Sequence, residues 1–338
     1  MKKIFYILTA ALFAIGLAAC SSSAGTNASK GKTDGKLTIY TTIFPIQDFT
    51  EKIGGSHVHA QSVYPANADA HSFEPSSKTM VEMAEGDAFI YSGTGAEAFA
   101  DKTASTLKDQ GVKTVKAAEG IKLLSTKEEH AHEEGEDHDH DHEGEEHDHD
   151  HEGEDHDHDG HDHGDKDPHA WLDPVHAQQM AKNIKDTLVS LDPDHKDEYT
   201  KNYEKLKKDL QSLDQEFKTT LSKAKHKEIL VSHAAYGYWE KRYGIEQISV
   251  LGLSASEEPS QKQLENIVQK AEKHHIQYVI FENNVSSKVS DTIRSEIGAK
   301  SLTLKNLESV TEDDAKNGES YVSLMKQNLK TLKTALND

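Results

Sequence analysis

The sequence predicts an α/β protein made of two βα lobes with parallel sheets that are joined by one long helix. Short apolar runs alternate with helical periods in residues 37–192 and again in residues 226–338, as in parallel sheets covered by helices. Between these regions, residues 193–225 carry apolar side chains at spacings of three and four, which indicates a single amphipathic helix. With 338 residues, the chain is long enough for two such lobes.

The N-terminal lobe starts with a buried strand, LTIYTTI at residues 37–43, after which Pro45 opens a helix that ends at Gly54-Gly55. The alternation then continues with strand 58–64, helix 76–85, strand 88–93, helix 96–110 and strand 112–115. Because a helix separates successive strands, we expect these strands to run parallel.

Two Asp-Pro pairs mark the helices in the middle of the chain. Asp173-Pro174 combines an N-cap with proline at the first helical position, and one face of the following helix carries Met180, Ile184, Leu188 and Leu191. Asp192-Pro193 repeats this signal before a helix at about 193–224, whose apolar face holds Tyr199, Tyr203, Leu206, Leu210, Leu213, Phe217 and Leu221. At 1.5 Å per residue, this helix would be about 48 Å long.

The C-terminal lobe repeats the βα pattern. Its predicted elements are strand 228–233, helix 236–243, strand 247–253, helix 260–274, strand 278–282, helix 286–297 and strand 300–304. The final helix is striped by Tyr321, Met325, Leu329, Leu332 and Leu336. A second parallel sheet follows from this order.

An acidic, histidine-rich insert interrupts the first lobe at residues 128–167. It holds 21 of the 59 acidic residues, and its only hydrophobic side chain is Ala131, so it cannot form a core and we expect it to be disordered. Twelve histidines lie in it: His130, His132, His138, His140, His142, His147, His149, His151, His156, His158, His161 and His163. Imidazoles bind zinc and carboxylates attract cations, which predicts weak collection of several metal ions. The alternative is an acidic loop that is merely solvated.

The remaining chain is nearly neutral, with 38 acidic and 37 basic residues. Without a basic surplus to neutralise phosphates, a nucleic-acid binder of the usual kind is excluded. The single cysteine, Cys20, excludes disulfide scaffolds and zinc sites built from thiolates.

The N-terminus has the character of an export signal. Basic residues precede 16 apolar residues at 4–19, fewer than the roughly 20 of a membrane-spanning helix. Leu17-Ala18-Ala19-Cys20 resembles the bacterial lipobox, whose cysteine is lipidated and becomes the first mature residue. We therefore expect a signal peptide at 1–19, a lipid anchor on Cys20 and a flexible tether at 20–36, which hold an extracytoplasmic protein to the bacterial cell membrane. The alternative is a plain secretory signal with a chance cysteine.

Three of the ten histidines outside the insert stand where ligands bind in open α/β sheets, beyond the carboxyl ends of strands or in loops beside them. His71 follows strand 58–64, His233 ends strand 228–233, and His169 lies in DPHAWLDP before a helix start. The other seven have the positions of surface or helix-end residues: His57, His59, His176, His195, His226, His274 and His275.

The segments around these three histidines resemble a known family. ADAHSFEPS, DPHAWLDP and SHAAYGY are similar to the metal-site motifs of the cluster A-I metal receptors of bacterial ABC importers (ZnuA/AdcA type), and EEPSQKQL and FENNVSSKVS are similar to later signatures. The resemblance covers about residues 37–338. It implies a rigid linking helix, a metal cleft between the lobes, and a monomeric Zn(II) receptor that is not an enzyme. Such a receptor delivers zinc to an ABC permease and serves the ATPase indirectly.

By position, the resemblance implies that His71, His169 and His233 are metal ligands. In many members the fourth ligand is a carboxylate in the loop after the last strand, which here reads LKNLESVTEDD, and Glu308 matches best. Glu282, after strand 278–281, is the rival carboxylate, and water is a further alternative. Some zinc members carry an acidic residue where this chain has Ala70, and this difference favours Glu308.

Three imidazoles and one carboxylate suit zinc, whereas manganese receptors of this family resemble a pattern of two histidines and two carboxylates. His233 is the residue that discriminates the two patterns. The alternatives to a zinc receptor are a manganese or iron receptor of the same fold, a secreted zinc hydrolase, and an adhesin or passive surface metal store. The chain contains no HExxH motif that would favour the hydrolase.

Overall fold

A computed structural model describes residues 35–125, 166–254, 259–283 and 287–338 of the protein. The predicted signal peptide, Cys20, most of the tether and all twelve histidines of the insert lie outside these residues. Within them, the predicted fold is confirmed, with two α/β lobes of parallel strands and a long helix that joins them.

The N-terminal lobe contains a four-stranded parallel sheet in the order β2-β1-β3-β4. Its strands are β1 (Leu37–Thr41), β2 (Val58–Ser62), β3 (Ala88–Tyr91) and β4 (Lys113–Lys116). Its helices are α1 (Phe44–Gly54), α2 (Ser77–Ala84), α3 (Ala100–Asp109) and α4 (Pro174–Leu191). Since β3 is buried at every position, the sheet is covered on both faces, as parallel sheets usually are.

The C-terminal lobe repeats this strand order as β6-β5-β7-β8, also entirely parallel. Its strands are β5 (Glu228–Val231), β6 (Glu246–Ser249), β7 (Tyr278–Glu282) and β8 (Lys300–Leu304). Its helices are α6 (Gly237–Tyr243), α7 (Gln261–Lys273), α8 (Lys288–Glu296), α9 (Glu312–Lys316) and α10 (Tyr321–Ala335), preceded by the linking helix α5 (Lys196–Leu221).

The linking helix α5 has 26 residues and follows a 3₁₀ turn at Pro193–His195. Its buried side contains all seven apolar residues that the sequence places on one face. These side chains pack against α1 and α4 of the first lobe and against α6 and α10 of the second. One apolar core therefore runs through both lobes, and it includes Phe49, Phe217 and Leu332.

Several elements differ from the sequence predictions. Strands β1, β2 and β3 each end two residues earlier than predicted, α3 begins at Ala100 instead of residue 96, and the linking helix is shorter than the predicted 193–224. The short helix α9 forms where a loop was expected, because Thr311 and Asp314 make a capping box at its start. Strands β5 and β6 end earlier than predicted, so His233 and Leu253 lie in the loops that follow them. Across the described ranges, no helix combines the length and apolar character needed to cross a membrane.

Candidate metal centre

His71 lies in the loop between β2 and α2, where Asp69 shapes a tight turn. One Asp69 oxygen accepts the backbone N–H of His71 at 3.0 Å, and the other accepts the Ser72 hydroxyl at 2.6 Å. Behind the loop, the Tyr64 and Phe73 rings pack edge to face with centroids 4.9 Å apart. The turn and this aromatic packing direct the His71 imidazole toward the space between the lobes.

His169 precedes a 3₁₀ turn at Ala170–Leu172 and is 0% exposed. Asp167 accepts hydrogen bonds from the backbone N–H of His169 and from its Nδ1, both at 2.8 Å. Such a carboxylate fixes the tautomer and leaves Nε2 for a metal. The neighbouring Trp171 donates its indole N–H to the Asn306 carbonyl at 2.7 Å, which ties this segment to the second lobe.

His233 lies two residues after β5 and is also 0% exposed. Its Nδ1 is 3.2 Å from a Glu282 oxygen, and its Nε2 is 2.7 Å from the Leu253 carbonyl. Glu282 also accepts the Tyr236 hydroxyl at 3.0 Å and the Asn306 amide at 2.8 Å. Glu282 therefore lies behind His233, away from the other two imidazoles.

Glu308 lies in the loop after β8 and is 1% exposed. Leu307 before it has φ 64, a left-handed conformation that is uncommon for leucine and that turns the chain sharply. The Ala70 backbone N–H donates to Glu308 Oε2 at 3.0 Å, and the Phe44 N–H donates to the Glu308 carbonyl at 3.1 Å. The C-terminal lobe thus supplies a carboxylate that is hydrogen-bonded to the N-terminal lobe.

The structure brings together the four residues that the sequence singles out. One ring nitrogen from each of His71, His169 and His233 lies within 4.8 Å of the other two. Glu308 Oε1 is 3.5 Å from His71 Nε2 and 3.9 Å from His169 Nε2. Both of these Nε2 atoms are buried without a hydrogen-bond partner. Buried polar atoms are normally paired, so this arrangement points to a bound cation as the missing partner.

The carboxylates set opposite protonation preferences on the two fully buried imidazoles. Burial, together with the charges of His233 and His71, holds the pKa of His169 well below its usual value. Burial also acts on His233, but the charge and hydrogen bond of Glu282 outweigh it and raise its pKa to about 9. At neutral pH, His169 is therefore neutral, whereas His233 carries a proton that a metal would have to displace.

Burial and neighbouring charges also set the pKa values of His71, Glu308 and Asp167. Burial lowers the pKa of His71, but the close approach and negative charge of Glu308 prevail, and the pKa is raised. Burial would raise the pKa of Glu308, but the close approach of His71 and the charges of His71, His169 and His233 bring it below its usual value. Glu308 is thus an anion at neutral pH. Burial raises the pKa of Asp167 to about 7.

The sequence did not single out two residues of the site. Asp167 is the last residue of the predicted insert 128–167, but it is 1% exposed and bonded to His169. Its place two residues before His169 in DPHAW is the signal that could have identified it. Asn306 contacts Glu282, Trp171 and Glu308, and no local pattern in the sequence marks it.

A second potential ligand group overlaps the first and consists of Asp69, His71 and Glu308. Both Asp69 oxygens already accept hydrogen bonds within their own turn. Among the described residues, no further group of three or more potential ligands converges in this way. Four of the other histidines, His57, His176, His195 and His274, each pair with one carboxylate, as His274 does with Glu228 at 3.0 Å.

Comparisons with known proteins find relatives whose names refer to zinc. The chain is 38% identical over 333 residues to the zinc-binding lipoprotein AdcA of Streptococcus pneumoniae strain R6, covering 98% of this chain and 61% of that relative. It thus spans about three fifths of the AdcA relative's length. It is 36% identical over 320 residues to the high-affinity zinc uptake system protein ZnuA of Bacillus subtilis strain 168, covering 95% of this chain and 93% of that protein.

A solved structure shares the fold. The crystal structure of the Zn(II)-bound ZnuA-like domain of Streptococcus pneumoniae AdcA matches with a TM-score of 0.70 and 33% identity, covering 90% of this chain and 100% of that one. The family model described as "Zinc-uptake complex component A periplasmic" (ZnuA) matches residues 39–335. Because this match spans both lobes and all four candidate ligands, the chain belongs to the ZnuA family.

Proposed function

We propose that this protein is a zinc receptor that binds one Zn(II) tightly between its lobes and delivers it to an ABC permease for uptake. The observation that carries this proposal is the convergence of three imidazole nitrogens within 4.8 Å of one another, beside the carboxylate of Glu308. Zinc is the cargo, and His71, His169, His233 and Glu308 are its proposed ligands. The names of the AdcA and ZnuA relatives, which refer to zinc binding and zinc uptake, support the proposal.

The donor set favours zinc over manganese or iron. Three nitrogens and one oxygen match the tetrahedral coordination that zinc adopts in closed sites, whereas manganese prefers more oxygen ligands. Asp69 is held in its own turn by bonds from the His71 N–H and the Ser72 hydroxyl. Glu282 is held by His233 and Tyr236.

The same geometry supports a binding role without catalysis. A catalytic zinc keeps one coordination position open for water or substrate. Here, four protein side chains surround the centre, and three of them, His169, His233 and Glu308, are at most 1% exposed. A site that is closed in this way holds its metal as cargo, which must leave when the lobes or their loops rearrange.

Location and partners follow from the N-terminal sequence and the family. We place the protein outside the cytoplasm, with residues 1–19 as a signal peptide and lipidated Cys20 holding it to the membrane through the tether 20–36. There, the two lobes, 37–192 and 226–338, would act as a monomer that presents zinc to the permease subunit, and the ATPase would act only through that subunit. The histidine-rich insert would collect additional zinc ions.

The test is metal analysis of the purified protein together with zinc titration. We expect one tight Zn(II) per chain, and the variant His71→Ala/His169→Ala should lose it. The matched control is His274→Ala, which removes a histidine that is paired with a carboxylate outside the cleft and should keep the tight site. Parental zinc affinity in the double variant would refute the proposed site, and tight manganese binding with weak zinc binding would refute the cargo.

A further inference from the structure

Asn306 lies at the centre of the hydrogen bonds behind the proposed ligands. It follows β8 by two residues and is 2% exposed. Its amide Nδ2 donates to Glu282 Oε2 at 2.8 Å, and the same carboxylate faces His233 Nδ1 at 3.2 Å. The side chain of Asn306 therefore acts on His233 through Glu282.

The other end of the same amide holds the segment that carries Glu308. Asn306 Oδ1 accepts the backbone N–H of Glu308 at 3.2 Å. This bond spans Leu307, which has φ 64 and is 0% exposed. A left-handed leucine persists only when its surroundings hold it there, and the Asn306 side chain closes that turn.

The main chain of Asn306 makes the third connection. Its carbonyl accepts the Trp171 indole N–H at 2.7 Å, and the Trp171 ring lies 5.3 Å from the His169 ring between centroids. One buried residue is thus bonded to the carboxylate behind His233, to the backbone of Glu308 and to the segment of His169. These three ligands come from segments far apart in the sequence, and Asn306 joins them.

We propose that Asn306 is a positioning residue that keeps Glu308 and His233 at the spacing of a four-coordinate site and so favours zinc over manganese. This inference rests on the proposed function. Glu308 Oε2 accepts the Ala70 N–H, while Oε1 faces His71 and His169, which presents one oxygen to the metal. When the Leu307 turn loosens, the carboxylate can rotate and offer both oxygens, or water can enter. Both changes suit a metal with a higher coordination number.

The experiment uses the full chain loaded with cobalt(II), which reports coordination number through its visible absorption. For the parent we expect the intense bands of tetrahedral cobalt. In Asn306→Ala we expect these bands to weaken as the coordination number rises, and zinc affinity to fall by about 10–100-fold, as for other residues that orient metal ligands. Manganese affinity should fall less, so the ratio of zinc to manganese affinity decreases.

Two further variants separate positioning from general destabilisation. Asn328 is also a buried asparagine, and it bonds both the N–H and the carbonyl of Lys305 on the same segment without touching a ligand or its partner. Asn328→Ala should lower thermal stability yet keep the cobalt bands. Asn306→Asp places two carboxylates together and should disturb the spectrum, and the swap Asn306→Asp/Glu282→Gln should restore much of it by exchanging donor and acceptor.

The outcomes distinguish this inference from the proposed function. A parent chain that takes up neither zinc nor cobalt tightly refutes both. If the parent binds both metals while Asn306→Ala and Asn306→Asp keep the tetrahedral bands and the ratio of zinc to manganese affinity, the role of Asn306 is refuted and the zinc receptor stands. Equal spectral changes in Asn328→Ala and Asn306→Ala would also refute it, because they would trace the effect to the stability of the segment.

Discussion

His169 and His233 are both fully buried, both face the same centre and both lie near a carboxylate, yet they differ in protonation. His169 is paired with Asp167, whose own pKa is raised to about 7, so this partner offers little charge to an imidazolium. His233 is paired with Glu282, which accepts two further hydrogen bonds from Tyr236 and Asn306. Burial, with the charges of His233 and His71, holds the pKa of His169 well below its usual value, whereas the charge and hydrogen bond of Glu282 raise that of His233 to about 9.

This difference shows that burial alone does not decide whether a ligand is ready to bind. In the first lobe, His169 is a neutral imidazole whose ring is held in place by Asp167. The second lobe offers an imidazolium whose Nε2 is bonded to the Leu253 carbonyl, and zinc must displace both the proton and this bond.

The largest expected effect comes from removing either histidine. His169→Ala and His233→Ala should each weaken zinc binding by more than about 100-fold. Loss of a residue that only orients a ligand costs up to about 100-fold, and loss of the ligand itself should cost more. At pH 7, His169→Ala should weaken zinc binding more than His233→Ala does. The reason is that zinc must displace a proton from His233 in the parent, which already reduces what this residue contributes to the affinity. Competition with a chelator of known affinity measures both constants. A larger loss for His233→Ala at pH 7 would contradict the comparison.

The next effect concerns Glu282 and pH. In the parent, zinc displaces a proton from His233 at any pH below about 9, so affinity should rise with pH up to that value. Glu282→Gln removes the charge that raises the pKa of His233, so zinc binding should release fewer protons at pH 7.5. The variant should bind about 10–100-fold more weakly at pH 9, but with a smaller deficit at pH 7. Calorimetry in buffers of different ionisation enthalpy counts the protons, and unchanged proton release in the variant would refute the role of Glu282.

Asp167→Asn should change the stability of the metal-free protein. The folded-state pKa of Asp167 is raised from 3.8 to about 7, so its contribution to stability is fully present below pH 3.8 and is lost as the pH rises through 7. The Asp167→Asn variant has no carboxyl group at this position, so its stability does not fall in this way as the pH rises. Relative to the parent, it should therefore gain at least about 1 kcal/mol between pH 4 and pH 8, or about 2–4 °C in Tm.

Thermal unfolding in the presence of a chelator tests this prediction. Asp69→Asn is a suitable control, because it replaces a carboxylate in the turn next to His71 that is more exposed than Asp167. A constant difference in Tm between Asp167→Asn and its parent across this pH range would show that Asp167 is not the group that titrates.

The smallest effect on the cleft should come from deleting residues 128–165. This deletion keeps Lys166, which pairs with Ser125, and Asp167, which His169 needs. We expect fewer zinc ions per chain but one tight site with parental affinity, because none of the four proposed ligands is removed. Acidification to about pH 5 should abolish the extra sites of the full chain first, since protonated imidazoles cannot bind zinc. A truncated protein that bound as many ions as the full chain would show that the insert is only solvated charge.

The sequence by itself determined the fold class, the long helix and the three histidine motifs. Alternating apolar runs, the Asp173-Pro174 cap and a stripe of seven apolar residues are local signals that produced the elements they predict, whereas Asp192-Pro193 starts a 3₁₀ turn before the long helix. The positions of His71 and His233 after strands also follow locally, because parallel strands bring their carboxyl ends to one edge of a sheet.

Only the tertiary structure decided how the side chains between these elements divide their roles. Glu282 ends β7 and Glu308 follows β8 of the same sheet. Nothing in their local sequence shows that one lies behind His233 while the other accepts the N–H of Ala70, 238 residues away. Asp167 is an acidic residue at the end of the acidic insert, yet it is as buried as the residues of the core. Such assignments depend on which distant donor a carboxylate meets when the lobes pack, and the residue pattern encodes periodicity and burial rather than those pairings.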